Sequence, residues 1–253
     1  MVRLPVIILF LLLVIQCNLA SAQNVRIKLE NCKIDQATYN EIRNALNFQL
    51  SFYARIFNAP PAREFQARIF RTKAEWVEFS KNNINYNPLK RNAAAYYSPE
   101  MKEMILHLEV TDFAKIFAHE LSQALHYYYA GKYMAERQAE WIHEGVATLL
   151  EDMVVTDSTY YLGERATTRW MRLNSLYEKA MSLERVYYQV DNFEDYILAW
   201  WAAYYLYRIN KDVLYNIIRS EVSTSGRRFD ALYPGGLDQL NIDSRSFFLN
   251  AVP

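Results

Sequence analysis

The chain is short of the residues that staple, bend or polarise a protein. Of 253 residues only two are cysteine, six glycine and seven proline, and 28 basic residues balance 28 acidic ones. Cys17 falls in the N-terminal apolar segment, so a chain processed after it keeps Cys32 alone. That excludes an internal disulfide, although export would permit one. The balanced charge argues against nucleic acid or an anionic membrane as the main partner. There is no Gly/Ser linker, repeat or low-complexity tract, and no second long apolar run follows the first. The processed chain is therefore expected to have no stable membrane span.

What is present begins with a leader. Arg3 is followed by an unbroken apolar run over residues 6–15, then Ala20-Ser21-Ala22. About ten apolar residues are too few to cross a bilayer as a helix. Small residues at 20 and 22 suit a signal peptidase, so residues 1–22 read as a signal peptide and Gln23 as the new N-terminus. Gln16 before Cys17 is large for a lipidation site, which argues against a lipoprotein. With Arg3 removed, 27 basic residues stand against 28 acidic ones in the remaining 231. That length supports one sizeable core, and a 15% aromatic content can fill it.

The pattern then divides in two. Val25, Ile27 and Leu29 alternate with charged residues, which predicts a strand. Asp35 can cap a helix carrying Tyr39, Ile42, Leu46, Leu50, Tyr53 and Phe57, with Pro60-Pro61 as its stop. Residues 65–70 read as a second strand, and Thr72 as the cap of a short helix with Trp76 and Phe79. Residues 82–91 are loop-like. Residues 93–97 and 104–109 flank Ser98-Pro99-Glu100 as a hairpin. From 113 onward nearly everything reads as helix. Strands and helices mixed in the first third, then helices, make an α+β chain.

The chemistry concentrates in His119-Glu120-Leu121-Ser122-Gln123, inside a helical pattern over 113–129. In the metallopeptidase pattern H-E-x-x-H, two His four residues apart share one helix face and reach one zinc. The Glu after the first His takes a proton from the metal-bound water. Further on lies Trp141-Ile142-His143-Glu144-Gly145-Val146-Ala147; twenty residues separate Gln123 from Glu144, with Gly131 between as a turn.

Together these segments resemble the gluzincin zinc metallopeptidases, in their peptidase MA-like branch, related in site architecture to thermolysin. Such proteins read H-E-L-x-H-x-L and then W-x-x-E-G-x-A. The matching positions are His119, Glu120, Leu121, Leu125, Trp141, Glu144, Gly145 and Ala147. The likeness spans most of residues 24–250 and is strongest over 113–152; the 93–109 hairpin and late helices near 196–206 and 213–218 also match. It implies one domain over 23–253, a small mixed sheet with a hairpin packed on a mainly helical, thermolysin-like region. It also implies Zn2+ on His119 and Glu144, Glu120 as general base, and a peptide or protein in the cleft.

The departure is Gln123, which stands where the second His ligand belongs. A neutral amide oxygen is a weaker zinc donor than imidazole, so Zn2+ is expected to bind weakly or not at all. His126 is on nearly the same face as His119 but roughly 10 Å along the axis, too far to share an ion whose bonds are about 2 Å. His143 points about 100° from Glu144. His107, Trp200-Trp201 and Tyr204-Tyr205 read as packing, and one of Tyr127, Tyr128 or Tyr129 as a cleft hydrogen-bond donor. Two functions follow: an exported metallopeptidase-like protein with an impaired site, or a pseudopeptidase that binds a peptide or protein in the envelope or outside the cell. The leader carries its own test. N-terminal sequencing of exported protein should begin at or near Gln23, and cytoplasmic protein retaining Met1 contradicts it.

Overall fold

The computed structural model describes residues 25–30, 32–60, 65–84, 93–136, 138–156, 159–162, 169, 172–173, 183–187, 190, 192–220 and 229–250. The expected leader and residues 85–91 of the expected loop lie outside these. Strand β1 (Val25–Glu30) leads to helix α1 (Gln36–Phe57), β2 (Phe65–Phe70), α2 (Lys73–Ile84) and the hairpin β3 (Tyr96–Ser98) and β4 (Glu103–His107). The sheet order is β1-β2-β4-β3. The first three are parallel, with Leu29 opposite Ile69 and Ile69 opposite Leu106, while β3 runs antiparallel to β4.

Local chemistry explains the element ends. Asp35 accepts from the Thr38 amide at 2.8 Å and caps α1. The stop comes before the prolines, at Asn58, which takes left-handed geometry (φ 48°) and donates to Ala54 and Arg55 carbonyls, a geometry asparagine tolerates better than most residues. Thr72 and Glu75 form a reciprocal cap on α2: the Glu75 amide donates to Thr72 Oγ1 and the Thr72 amide to Glu75 Oε2. Residues 82–84, expected in a loop, continue that helix.

Both faces of the sheet are covered. Ala67, Ile69, Met104 and Leu106 face the main core, while Phe70 and Ile105 pack with Trp76 of α2 in a smaller cluster. Every residue of β4 is buried, as expected of a strand between two layers. His107 belongs here, packed 4.8 Å from the Trp76 ring.

The helical part consists of α3 (Phe113–Ala130), α4 (Lys132–Ala135), α5 (Glu140–Glu151), α6 (Leu183–Tyr187), α7 (Phe193–Ile209), α8 (Lys211–Arg219) and α9 (Gly236–Asn250). Gly131 ends α3 with φ 77°, a conformation that favours glycine. One expectation fails in this region. Met153–Thr156 (β5) pairs antiparallel with Thr159–Leu162 (β6), a second two-stranded sheet. Their Val, Thr and Tyr content favours strand, a signal outweighed in the sequence by the surrounding helical pattern. The chain is thus α+β, mainly helical, with a small mixed sheet. Among the described residues no helix is long and apolar enough to cross a membrane.

Helix α5 lies between α3 and α7. Its Trp141, Ile142, Val146 and Leu149 are buried, as are Trp200 and Trp201 of α7. At Gly145 the two backbones nearly touch: a Cβ there would sit 2.4 Å from Ala199 O and 2.8 Å from its carbonyl carbon. Backbone cannot step aside as a flexible side chain can, so Gly145→Ala forces α5 away from α7. Overpacking of this kind typically costs about 1–3 kcal/mol, which should exceed the gain in helix propensity and lower the urea midpoint. A variant as stable as wild type would show that the helices separate freely.

Candidate functional site

Three helices build the site. Helix α3 carries His119, Glu120 and Gln123 on its buried turns, and α5 runs beside it with Glu144 and Glu151. Glu151 is seven residues past Glu144, two turns along the same face. His119 is 9% exposed and lies between these carboxylates. Its Nδ1 is 2.9 Å from Glu151 Oε2 and its Nε2 is 3.1 Å from Glu144 Oε2. Both ring nitrogens face carboxylate oxygens, an arrangement that favours the protonated imidazole. Burial alone would lower its pKa, but the hydrogen bonds and charges of Glu144 and Glu151 outweigh that and hold it well above the usual histidine value.

Gln123 completes the group from one turn further along α3. Its Nε2 donates to Glu144 Oε1 at 3.0 Å and stands 3.2 Å from His119 Nε2. Glu144 is therefore gripped at both oxygens, by the imidazolium at one and the amide at the other. Behind them Arg169 donates to Glu151 and Asp152. Burial works against ionisation of Glu151, yet His119 and Arg169 hold its carboxyl below the usual range.

Glu120 is 6% exposed, and its Oε2 has no hydrogen-bond partner among the described residues. Burial pushes its carboxyl up to about 7; His119 and the Tyr97 amide resist, while Glu144 and Glu151 add to the rise. The Tyr97 contact places Glu120 beside the β3 strand. Tyr196, on the first turn of α7, has its ring centroid 6.4 Å from that of His119. Burial, then the charges of Glu144 and Glu120, push its phenol well up, so it remains a neutral donor.

His119, Gln123 and Glu144 thus come together, with Glu120 adjoining them. The residues expected at a distance are at a distance: His126 and His143 pack on each other further along the α3–α5 seam, ring centroids 4.2 Å apart. The expected cleft tyrosine is replaced by another. Tyr127 packs between Tyr97 and His143, Tyr128 is largely exposed, and Tyr129 stacks on Phe57. Tyr196 is the tyrosine near His119, and no spacing rule links it to 119. Glu151 was within reach of helical phase; Arg169 carries no motif.

The donor set fits zinc poorly. The third position offers an amide N–H group, which has no lone pair for a metal. Turning that amide would present its oxygen but break the bond to Glu144. No cluster of three or more His, Cys, Asp or Glu arranged to hold a metal occurs among the described residues.

The two titrating groups have opposite effects. Below about 6.5 the His119 arrangement stabilises the fold in full, and that stability fades as pH climbs through its raised folded value. Glu120 starts from an ordinary value of 4.5 and reaches about 7 in the fold. Between those values the unfolded chain has released its proton and the folded chain keeps it, so stability falls by about 3 kcal/mol across the window. Glu120→Gln has no proton to lose. It should be about as stable as wild type near pH 4.5 and progressively more stable toward pH 8, measured by urea unfolding at stepped pH. A gap that stays constant with pH would mean that Glu120 ionises normally.

No protein-family model matches the chain, and a search of curated proteins finds no match to it.

Proposed function

We propose that this chain is an exported, metallopeptidase-like protein of the gluzincin type that no longer depends on a metal, and that it binds a peptide or protein segment without cutting it. The Gln123 amide carries this reading. It occupies the position of the second His ligand and uses an N–H, the opposite polarity to a metal ligand, to hold Glu144. The proton on His119 supplies part of the positive charge that a zinc ion would bring to the same carboxylate. Further support comes from Glu120, next in sequence to His119, and from the Trp141, Glu144, Gly145 and Ala147 positions on α5.

The cleft suits an extended ligand. Strand β3 is an edge of the sheet, and an extended peptide can add to such an edge through main-chain hydrogen bonds. Glu120, in contact with the Tyr97 backbone, lies beside that strand. Burial raises the Glu120 carboxyl to about 7, so near neutral pH it is poised between its two protonation states.

Metal analysis tests the reading. Loss of one of three ligands should weaken zinc by more than the about 10–100-fold typical of an outer-shell change. Purified protein should hold far less than one zinc per chain after mild dialysis and show little peptidase activity. Gln123→His should gain zinc, because position 123 already faces His119 and Glu144. Stoichiometric, dialysis-resistant zinc in the wild type would overturn the metal-free reading. Failure of Gln123→His to gain zinc would mean a site that has drifted beyond a single ligand loss or was never a metal site.

A further inference from the structure

The β3 edge has two differently furnished faces. The Tyr96 hydroxyl donates to Ser80 Oγ of α2 at 2.7 Å, while the Tyr97 ring packs on that of Tyr127 of α3, centroids 5.5 Å apart. Successive residues of a strand point to opposite faces. A peptide added beside β3 therefore sends every second side chain to the α3 face, where Tyr97 stands. Such a strand lies about 4.8 Å from β3, so an extended side chain on that face reaches the Tyr97 ring.

That face is aromatic and acidic. Tyr97 and Tyr127 are both half-buried. Burial, then the charges of Glu136, Tyr97, Glu100 and Glu144, push the Tyr127 phenol up to about 12. Carboxylates from three places thus act on one ring: the β3–β4 turn, the end of α4, and α5. Glu100 and Glu136 share a single ammonium, that of Lys132, at 3.5 and 3.6 Å, longer than a close charge-assisted bond. Glu144 shares the His119 ring with Glu151. The face therefore keeps an excess of negative charge. A further carboxyl, Glu120, meets the Tyr97 backbone from α3. It is 6% exposed, and its Oε2 has no donor among the described residues.

We propose that the α3 face of the β3 edge selects peptides that carry an arginine, with the guanidinium against Tyr97 and Tyr127 and its N–H groups donating to Glu100 and Glu136. This deepens the peptide-binding reading and rests on it. Guanidinium is planar, stacks on aromatic faces and presents a fork of donors suited to carboxylates. An ammonium would only duplicate Lys132 and make less use of the rings. An acidic side chain would be repelled, and an apolar one would leave the carboxylates unanswered.

Two probes separate this inference from the reading beneath it. Nα-acetyl-arginine methylamide, too small to add a strand, is titrated into the purified full chain with ring-labelled tyrosine, beside its uncharged citrulline counterpart. It should shift the Tyr97 and Tyr127 signals saturably, about tenfold more tightly than citrulline, and more weakly as salt rises. Mixed-sequence fluorescent heptapeptides with a central arginine or citrulline should show the same preference. Glu100→Gln and Glu136→Gln should each weaken both arginine probes about two- to fivefold. Lys132→Gln removes the competing ammonium and should tighten them by a similar factor. All three side chains are exposed, so thermal midpoints should hold, and a purely structural role would not give opposite signs. Citrulline equal to arginine, or no gain from Lys132→Gln, would overturn the inference, and equal binding of both peptide sets would leave peptide binding itself standing. Binding of the small probe without either peptide set would keep the arginine site and remove the extended ligand. Binding of no probe would overturn both.

Discussion

His119, held between Glu144 and Glu151, fixes the relation of α3 to α5, and the remaining polar groups of the seam arrange themselves around it. Two carboxylates buried on one helix face repel each other and resist leaving water. An imidazolium between them turns the repulsion into two charge-assisted hydrogen bonds. Arg169 steadies the outer carboxylate and Gln123 the inner one. Removing a member of such a group leaves a buried charge uncompensated, typically a loss of about 3–5 kcal/mol. The same residues that would make a metal cradle are therefore a structural element in their own right.

An apolar residue at 123 would leave Glu144 Oε1 without the Gln123 donor, with only Oε2 held by His119. Gln123 avoids that, because its amide reaches the same carboxylate. Glu120 is left apart, buried with one oxygen unmatched among the described residues.

Much of the geometry was legible in the sequence because it depends on local periodicity. Asp35, Thr72 and Gly131 mark helix ends through backbone chemistry that acts within a few residues. The convergence of His119, Gln123 and Glu144 follows from the four-residue step on α3 and a returning second helix, and Glu151 obeys the same phase. Tyr196 and Arg169 are brought in by tertiary packing and have no fixed distance along the chain from anything they touch. The β5–β6 hairpin was obscured because its Val and Tyr residues sit within a long stretch of helical pattern. The left-handed turn at Asn58 displaced the more obvious proline signal at 60.

Gly145 gives the site one further property. With its α-carbon against the Ala199 carbonyl, α5 meets α7 main chain to main chain at this turn. No rotamer change can relax such a contact, so backbone sets the distance from α7 of the turn that carries Glu144, one residue away from the carboxylate.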